Sequence, residues 1–407
     1  MTTFLRLLSE GDKAEALSQA CARLRQGAPD PRRFEMAPES FDAVPGKPFA
    51  YWVSQGVRGT FERMEPFDCE KRLARVTNPA GDDTRYVRAR WEPASREVSD
   101  SYRWVDFSKG GAFSPYFYDV HLVIQWSDAR QSYHGFLGTE HRPLEKPASL
   151  EHFFRAGLTW PRRTSSGISL RAMPAGCIFA DKGPAAFVAN DEPADLLALL
   201  ALANSRPFSI LVELQLAAAD AAARSYEVGI IQKTPIPPLA TEQRQQLARL
   251  ARRAWSLKRT LDTVNETSHA FLLPAALRSR PGAYDPPAIE AELTRIQAEI
   301  DAIAFDLYDF AEADRQAVNG IEAQTEVAPV ADEDDESTEA EVPSADALLS
   351  WAVGVAFGLR VHQHRLRRFE HRLSESERLR FELLRQNTEL KQRLDLLVRG
   401  EPAPREV

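Results

Sequence analysis

The chain has 407 residues, 43% hydrophobic and 27% charged, with a formal net charge of −8. That length suits two or more domains with sizeable cores, and the composition is that of an ordinary globular protein, which excludes collagen-like and low-complexity classes. No apolar run approaches the roughly 18 residues of a membrane span, and Met1 to Arg6 opens no basic-then-apolar leader. Cys21, Cys69 and Cys177 are isolated and odd in number, which argues against a disulfide framework or a cysteine zinc site and for a reducing cytoplasm.

Apolar residues at helical spacing (Phe4, Leu7, Leu8, then Ala14, Leu17, Ala20, Leu24) predict two short helices broken near Gly11. The turn-rich hinge Phe41 to Pro48 closes this segment, 1–48, and Tyr51-Trp52-Val53-Ser54 should start a new domain, 49–240. Within it, short aromatic and β-branched runs at Tyr102–Phe107, His121–Trp126 and Gly176–Phe179 read as strands. Asp195–Ala203 reads as a helix opened by Glu192-Pro193, and a second apolar helix runs from Phe208 to about Ala223. Thr234 to Pro238 is an extended stop. A helical domain follows over 241–324, with Thr241 as N-cap of a run to Thr263 and apolar periodicity from Glu290 to Leu307. The fold class expected is therefore α+β: a mixed α/β domain followed by a helical C-terminal region with a long terminal helix.

Asp332-Glu333-Asp334-Asp335-Glu336 concentrates negative charge in a linker, 325–344, whose composition predicts disorder. In the tail, 345–407, Leu366, Leu373, Asn387 and Leu394 fall at heptad position a, and Phe369, Leu383, Leu390 and Leu397 at d. That seam suits a parallel homodimer through 364–398, although Arg380 and Ser376 interrupt it; the other reading is a charged helix facing solvent. Because the negative charge is concentrated there, the total does not exclude a nucleic-acid surface elsewhere.

No catalytic constellation emerges from the residues. Asp285-Pro286-Pro287-Ala288 lacks the aromatic ring on which a flipped adenine would stack, and Gly354 to Gly358 sits in an apolar helical run instead of after a strand. Asp68-Cys69-Glu70-Lys71 has the wrong spacing for a nuclease, and His121, His134, His141 and His152 have no metal-ligand rhythm. What remains is recognition. Arg and Lys can hold phosphates while Arg and Ser reach base edges. Lys109-Gly110-Gly111 offers a cation on a close-approach backbone, and Arg162, Arg163, Ser165 and Ser166, with Arg171 beyond, offer guanidiniums and hydroxyls on a glycine-bearing loop. Arg85, Arg88 and Arg90 alternate on an expected strand. Each of these could instead be a solvated surface charge.

Several blocks carry a resemblance. They are Pro45-Gly46-Lys47-Pro48 with Tyr51-Trp52-Val53-Ser54; Ala80-Gly81-Asp82-Asp83 with Arg85-Tyr86, Arg88 and Trp91-Glu92; Lys109 to Phe113; Leu122 to Trp126; Gly157 to Gly167; Pro174 to Phe179; Leu196 to Ser205; and Leu348 to Gly358. In this order, from roughly Phe34 to Gly358, they resemble the DNA-reading part of adenine-specific DNA methyltransferases of the PglX kind, from BREX phage-defence systems. Ala80 and Asp83 stand where that family has Thr and Asn, and past Gly358 the chain turns into Arg-rich helix where the family does not. The resemblance implies a target-recognition domain for double-stranded DNA in phage defence and restriction-modification. It also implies a methyltransferase catalytic subunit, or other defence proteins, as partners. S-adenosylmethionine is expected on that catalytic partner and not on this chain, which should bind DNA without methylating it. Either a split-enzyme specificity subunit or a truncated remnant fits. The competing reading is a non-catalytic assembly protein using the coiled-coil tail and the acidic linker.

Overall fold

Thr2-Thr3-Phe4-Leu5 form a strand, β1 (Thr2–Leu5), paired antiparallel with β2 (Arg33–Met36) so that Phe4 faces Phe34. The two helices expected here are thus one strand and one helix, α1 (Lys13–Arg25). Phe4 has partners that outweigh its helical spacing: it stacks on Tyr51 at 4.7 Å between centroids and meets Phe41 edge-on at 5.7 Å. Asp12 caps α1 by accepting from the Ala14 and Glu15 amides, each at 3.0 Å. In the connection to β2, Arg32 grips Asp30 through two side-chain bonds of 2.9 and 2.8 Å, which holds that carboxyl well below the usual carboxylate range.

The computed structural model describes residues 1–7, 10–78, 82–90, 92–93, 104–126, 148–164, 166–216, 224–278, 284–316 and 348–353. Met1–Arg259 with Pro287–Glu339 form one unit, and Thr260–Pro286 with Ala340–Val407 a second. In the second, Arg278 lies over the Tyr284 ring at 4.9 Å and the Leu272 amide donates to the Thr263 carbonyl at 2.8 Å. The acidic linker, the heptad seam and Gly354 to Gly358 lie outside the described residues.

Two four-stranded sheets organise the first unit. One has the order β3 (Arg72–Arg75), β11 (Ala185–Val188), β7 (Gly157–Thr159), β9 (Arg171–Met173), antiparallel throughout. The other has the order β10 (Cys177–Phe179), β5 (Trp104–Ser108), β6 (Leu122–Gln125), β4 (Val87–Ala89), with β10 parallel to β5. An aromatic ladder fills the space they share. Phe153 meets Phe179 edge-on at 5.2 Å, and Phe179 meets Phe187 of β11 at 5.7 Å. Cys177 is buried in this core, its thiol pushed up to about 12 by burial. A thiol so protonated is a poor nucleophile, so iodoacetamide at neutral pH should leave Cys177 unlabelled until denaturant is added. Labelling of the folded protein at this position, read by peptide mass, would contradict the packing.

The larger core lies on the first sheet. Helix α5 (Pro193–Ala203) is apolar apart from Asp195, and its Ala198–Ala203 stretch is buried in it together with Phe208, Ile210, Leu211, Val212, Leu214 and Leu216 of α6 (Arg206–Leu216). Pro193 at the first turn and the polar stop Asn204-Ser205 set the bounds of α5, as expected. The long helices α8 (Thr241–Leu261) and α9 (Pro286–Leu307) add one apolar face each; α7 (Val228–Lys233) is short. The cap of α8 is Ala240 and not Thr241, because Gln243 reaches back to accept from the Ala240 amide at 2.9 Å. Pro286-Pro287 open α9, which gives that pair a helix-initiating role. A buried polar relay ties α9 to the end of α5. Tyr116 donates its hydroxyl to Gln297 at 2.6 Å, Gln297 donates to the Asn204 carbonyl at 3.0 Å, and the Asn204 side chain bridges Leu170 in both directions. Asp301 accepts from the Arg206 amide at 2.8 Å and is raised by its burial. The fold is α+β, with the long helices α8 and α9 following every strand, and among the described residues no single helix is long and apolar enough to cross a membrane.

Candidate nucleic-acid interface

Three strand ends meet at one place. β5 ends at Ser108, β7 at Thr159 and β10 at Phe179. Ser108 donates its hydroxyl toward Thr159 at 3.3 Å, and the Ala180 amide donates to the Ser108 carbonyl at 3.0 Å. The three following loops therefore leave from a common root. The Arg162 amide donates to the Lys182 carbonyl at 3.0 Å, and a Cβ on Gly183 would stand 2.5 Å from the Gly110 nitrogen. Lys109, Gly110, Gly111, Arg162 and Arg163 line one recess there, together with Lys182. Five of the eleven residues singled out from sequence, from two stretches about 50 residues apart, thus share a wall.

Each loop is anchored from inside. Trp160 is completely buried and donates its indole N–H to the Tyr226 carbonyl at 2.9 Å. The Tyr226 amide donates back to the Arg162 carbonyl, and β8 (Arg163–Thr164) pairs with β12 (Arg224–Ser225). On the other side Arg171 is 1% exposed, so it faces the interior and not a ligand. Its guanidinium donates to the Gly110 and Ala112 carbonyls and lies 4.4 Å over the Tyr118 ring. This corrects the expectation that Arg171 touches DNA: a side chain whose donors meet loop carbonyls below the surface shapes the loop. Gly111 adopts φ +103, and a Cβ there would meet the Tyr118 ring at 2.5 Å. The close approach made by this glycine is to the protein's own aromatic ring.

Electrostatically the recess is cationic but tempered. Lys109 pairs with Asp83, and Arg162 lies 3.8 Å from Asp181 and 3.6 Å from Glu227. Arg163 and Lys182 are exposed. Asp83 belongs to a helical turn, α4 (Asp83–Tyr86), so its ion pair brings the turn that carries Arg85 beside the glycine loop. The expected strand alternation of Arg85, Arg88 and Arg90 is not what forms. Arg85 is on α4, capped by Asp82, and stacks over Tyr86 at 5.0 Å. Arg88 on β4 turns back to donate to the Thr84 and Val87 carbonyls, and Arg90 pairs with Asp106. Ser166 is exposed just past β8, its amide donating to Thr164 Oγ1; Ser165 lies outside the described residues.

Lys182 went unnoticed in the sequence. The turn Asp181-Lys182-Gly183 directly after an apolar strand was the available signal, since a Lys-Gly pair there repeats the chemistry of Lys109-Gly110. Among the described residues no group of three or more His, Cys, Asp or Glu could hold a metal ion. His152 stacks on Phe187 at 5.3 Å with Arg155 3.1 Å from its Nδ1, and burial lowers its pKa, which suits a structural neutral imidazole. The recess supplies the cationic side chains of Lys109, Arg162, Arg163 and Lys182 on anchored loops, a chemistry suited to a polyanion.

No family model matches the chain. Over 337 residues, 78% of the chain, it is 25% identical to the adenine-specific methyltransferase PglX of Lacticaseibacillus casei (strain Zhang). Over 174 residues, 41% of the chain, it is 26% identical to the adenine-specific methyltransferase BrxX of Escherichia coli O9:H4 (strain HS). The chain is a distant relative of these PglX and BrxX methyltransferases. The matched stretches span 27% of the first relative and 13% of the second, so most of either relative has no counterpart in the match.

Proposed function

We propose that this chain is the DNA-reading part of an adenine-specific DNA methyltransferase of the PglX and BrxX kind, acting in phage defence. Arg162, Arg163, Lys182 and Lys109 hold the phosphates of duplex DNA, and the loops that carry them bring Ser166 and Arg85 toward base edges. The adenine is presented to a catalytic domain that binds S-adenosylmethionine and is supplied by a partner polypeptide. What carries this reading is the convergence of the glycine loop and the Arg162-Arg163 loop on one recess, from a chain distantly related to adenine methyltransferases.

The test is a fluorescence titration of labelled duplex with the purified chain at rising salt. With at least these four phosphate contacts, log K should fall against log salt with a slope of about −3.6 or steeper, so affinity drops by at least roughly 150-fold between 50 and 200 mM. No methyl transfer from labelled S-adenosylmethionine is expected until a catalytic partner is added. Indifference to duplex at low salt, or adenine methylation by the isolated chain, would overturn the proposal.

A further inference from the structure

The helix α8 has an unusual charge pattern for a protein that carries more acids than bases. Its 21 residues hold Arg244, Arg249, Arg252, Arg253, Lys258 and Arg259 against one acid, Glu242. Surface helices ordinarily mix the two signs, because opposite charges at i and i+4 support the helix. The inward face needs none of these cations: Leu247, Ala248, Ala251, Ala254 and Leu257 recur at helical spacing and are buried in the main core.

The six cations are not equivalent. Arg253 is neutralised by Glu292 through two bonds of 2.7 Å, and Arg244 lies 3.2 Å from Asp195. Lys258 is pushed down by burial, with Glu290 near it. Arg249 and Arg252 are exposed, and neither meets a carboxylate among the described residues. Arg259 is exposed as well and lies 6.0 Å from the Trp255 ring centroid. At 100° per residue, positions 249, 252 and 259 fall within a quarter-turn of one another, and the ten-residue span covers about 15 Å. That is the length over which one DNA strand presents about four phosphates.

This face adjoins the segment that carries the glycine loop. Trp255 meets Phe117 edge-on at 5.9 Å, and the Ser114 hydroxyl donates to the Phe117 carbonyl at 2.6 Å. A membrane surface is a poor fit, since an interfacial helix needs an apolar face to insert and that of α8 is already used in the core.

We infer that Arg249, Arg252 and Arg259 form a second, sequence-independent contact with the phosphate backbone of the duplex held by the recess. The inference rests on the DNA-reading proposal and extends it to a surface outside the recess. It predicts that the double variant Arg249→Gln/Arg252→Gln, made in the full chain, flattens the slope of log K against log salt by about 1.8. Affinity at 50 mM salt should then fall roughly tenfold more than at 200 mM, and equally on two duplexes of unrelated sequence. Arg253→Gln, already paired, should leave the slope unchanged, and thermal melting should show all variants folded. An unchanged slope in the double variant, with Arg163→Glu still weakening binding, overturns the helix contact alone. An equal effect from Arg253→Gln also overturns it, by reducing the face to bulk charge. Failure of the unaltered chain to bind any duplex overturns the reading beneath it.

Discussion

Arg171→Met is expected to destabilise the protein by about 2–4 kcal/mol, because two half-buried loop carbonyls lose their donors at about 1–2 kcal/mol each. Those carbonyls belong to Gly110 and Ala112, and the same guanidinium covers the Tyr118 ring. Methionine matches the length of the arginine stem but supplies no N–H. The loss should be local as well as global. Amide exchange at residues 109–113 should rise, while that in α5 changes only with overall stability. Arg171→Lys should rescue only in part, since one ammonium cannot present the planar fork that reaches both carbonyls and stacks on the ring. A denaturant midpoint unchanged by Arg171→Met would return this residue to the surface role that its sequence suggested.

Trp160→Ala should cost more, about 3–5 kcal/mol, and lower the melting temperature by roughly 10 °C. Among the described residues Trp160 is the largest of the completely buried side chains, and its indole N–H is one of the bonds that tie the Arg162-Arg163 loop to the segment ending in Tyr226. Alanine leaves a cavity and takes the indole donor away from the Tyr226 carbonyl. Trp160→Phe separates the two: it fills most of the volume without the donor, so it should lose about 1–2 kcal/mol. If both substitutions were equally mild by calorimetry, the loop would owe its position to something other than this anchor.

Both residues show how far the sequence could be read. The order Gly157 to Gly167 and Lys109 to Phe113 was legible as loop chemistry because Gly, Pro and Arg interrupt apolar strands there. Whether an arginine in such a run faces out or in depends on which strand edge it occupies. Arg162, Arg163 and Arg171 look alike in sequence, yet Arg171 sits on β9 beneath the glycine loop. The alternation of Arg85, Arg88 and Arg90 was misread for a related reason. Asp82 supplies a local cap that turns residues 83–86 into helix, and a four-residue competition of this kind is beyond the reach of a periodicity argument. Thr2–Leu5 was misread because its pairing partner, Arg33–Met36, lies some thirty residues away.

The sequence by itself determined the class of fold, the apolar helices α5 and α6, the presence of α8 and α9, and two loops that combine glycine with lysine or arginine. All of these rest on interactions within a few residues: hydrophobic period, helix caps, proline stops and glycine conformations. Tertiary structure alone decided that those loops share a root at Ser108 and Thr159, that Lys182 joins them, and that Arg171 supports them from below. Strand order and burial come from contacts between residues a dozen to more than a hundred positions apart. Their energy depends on a three-dimensional neighbourhood that no local pattern encodes.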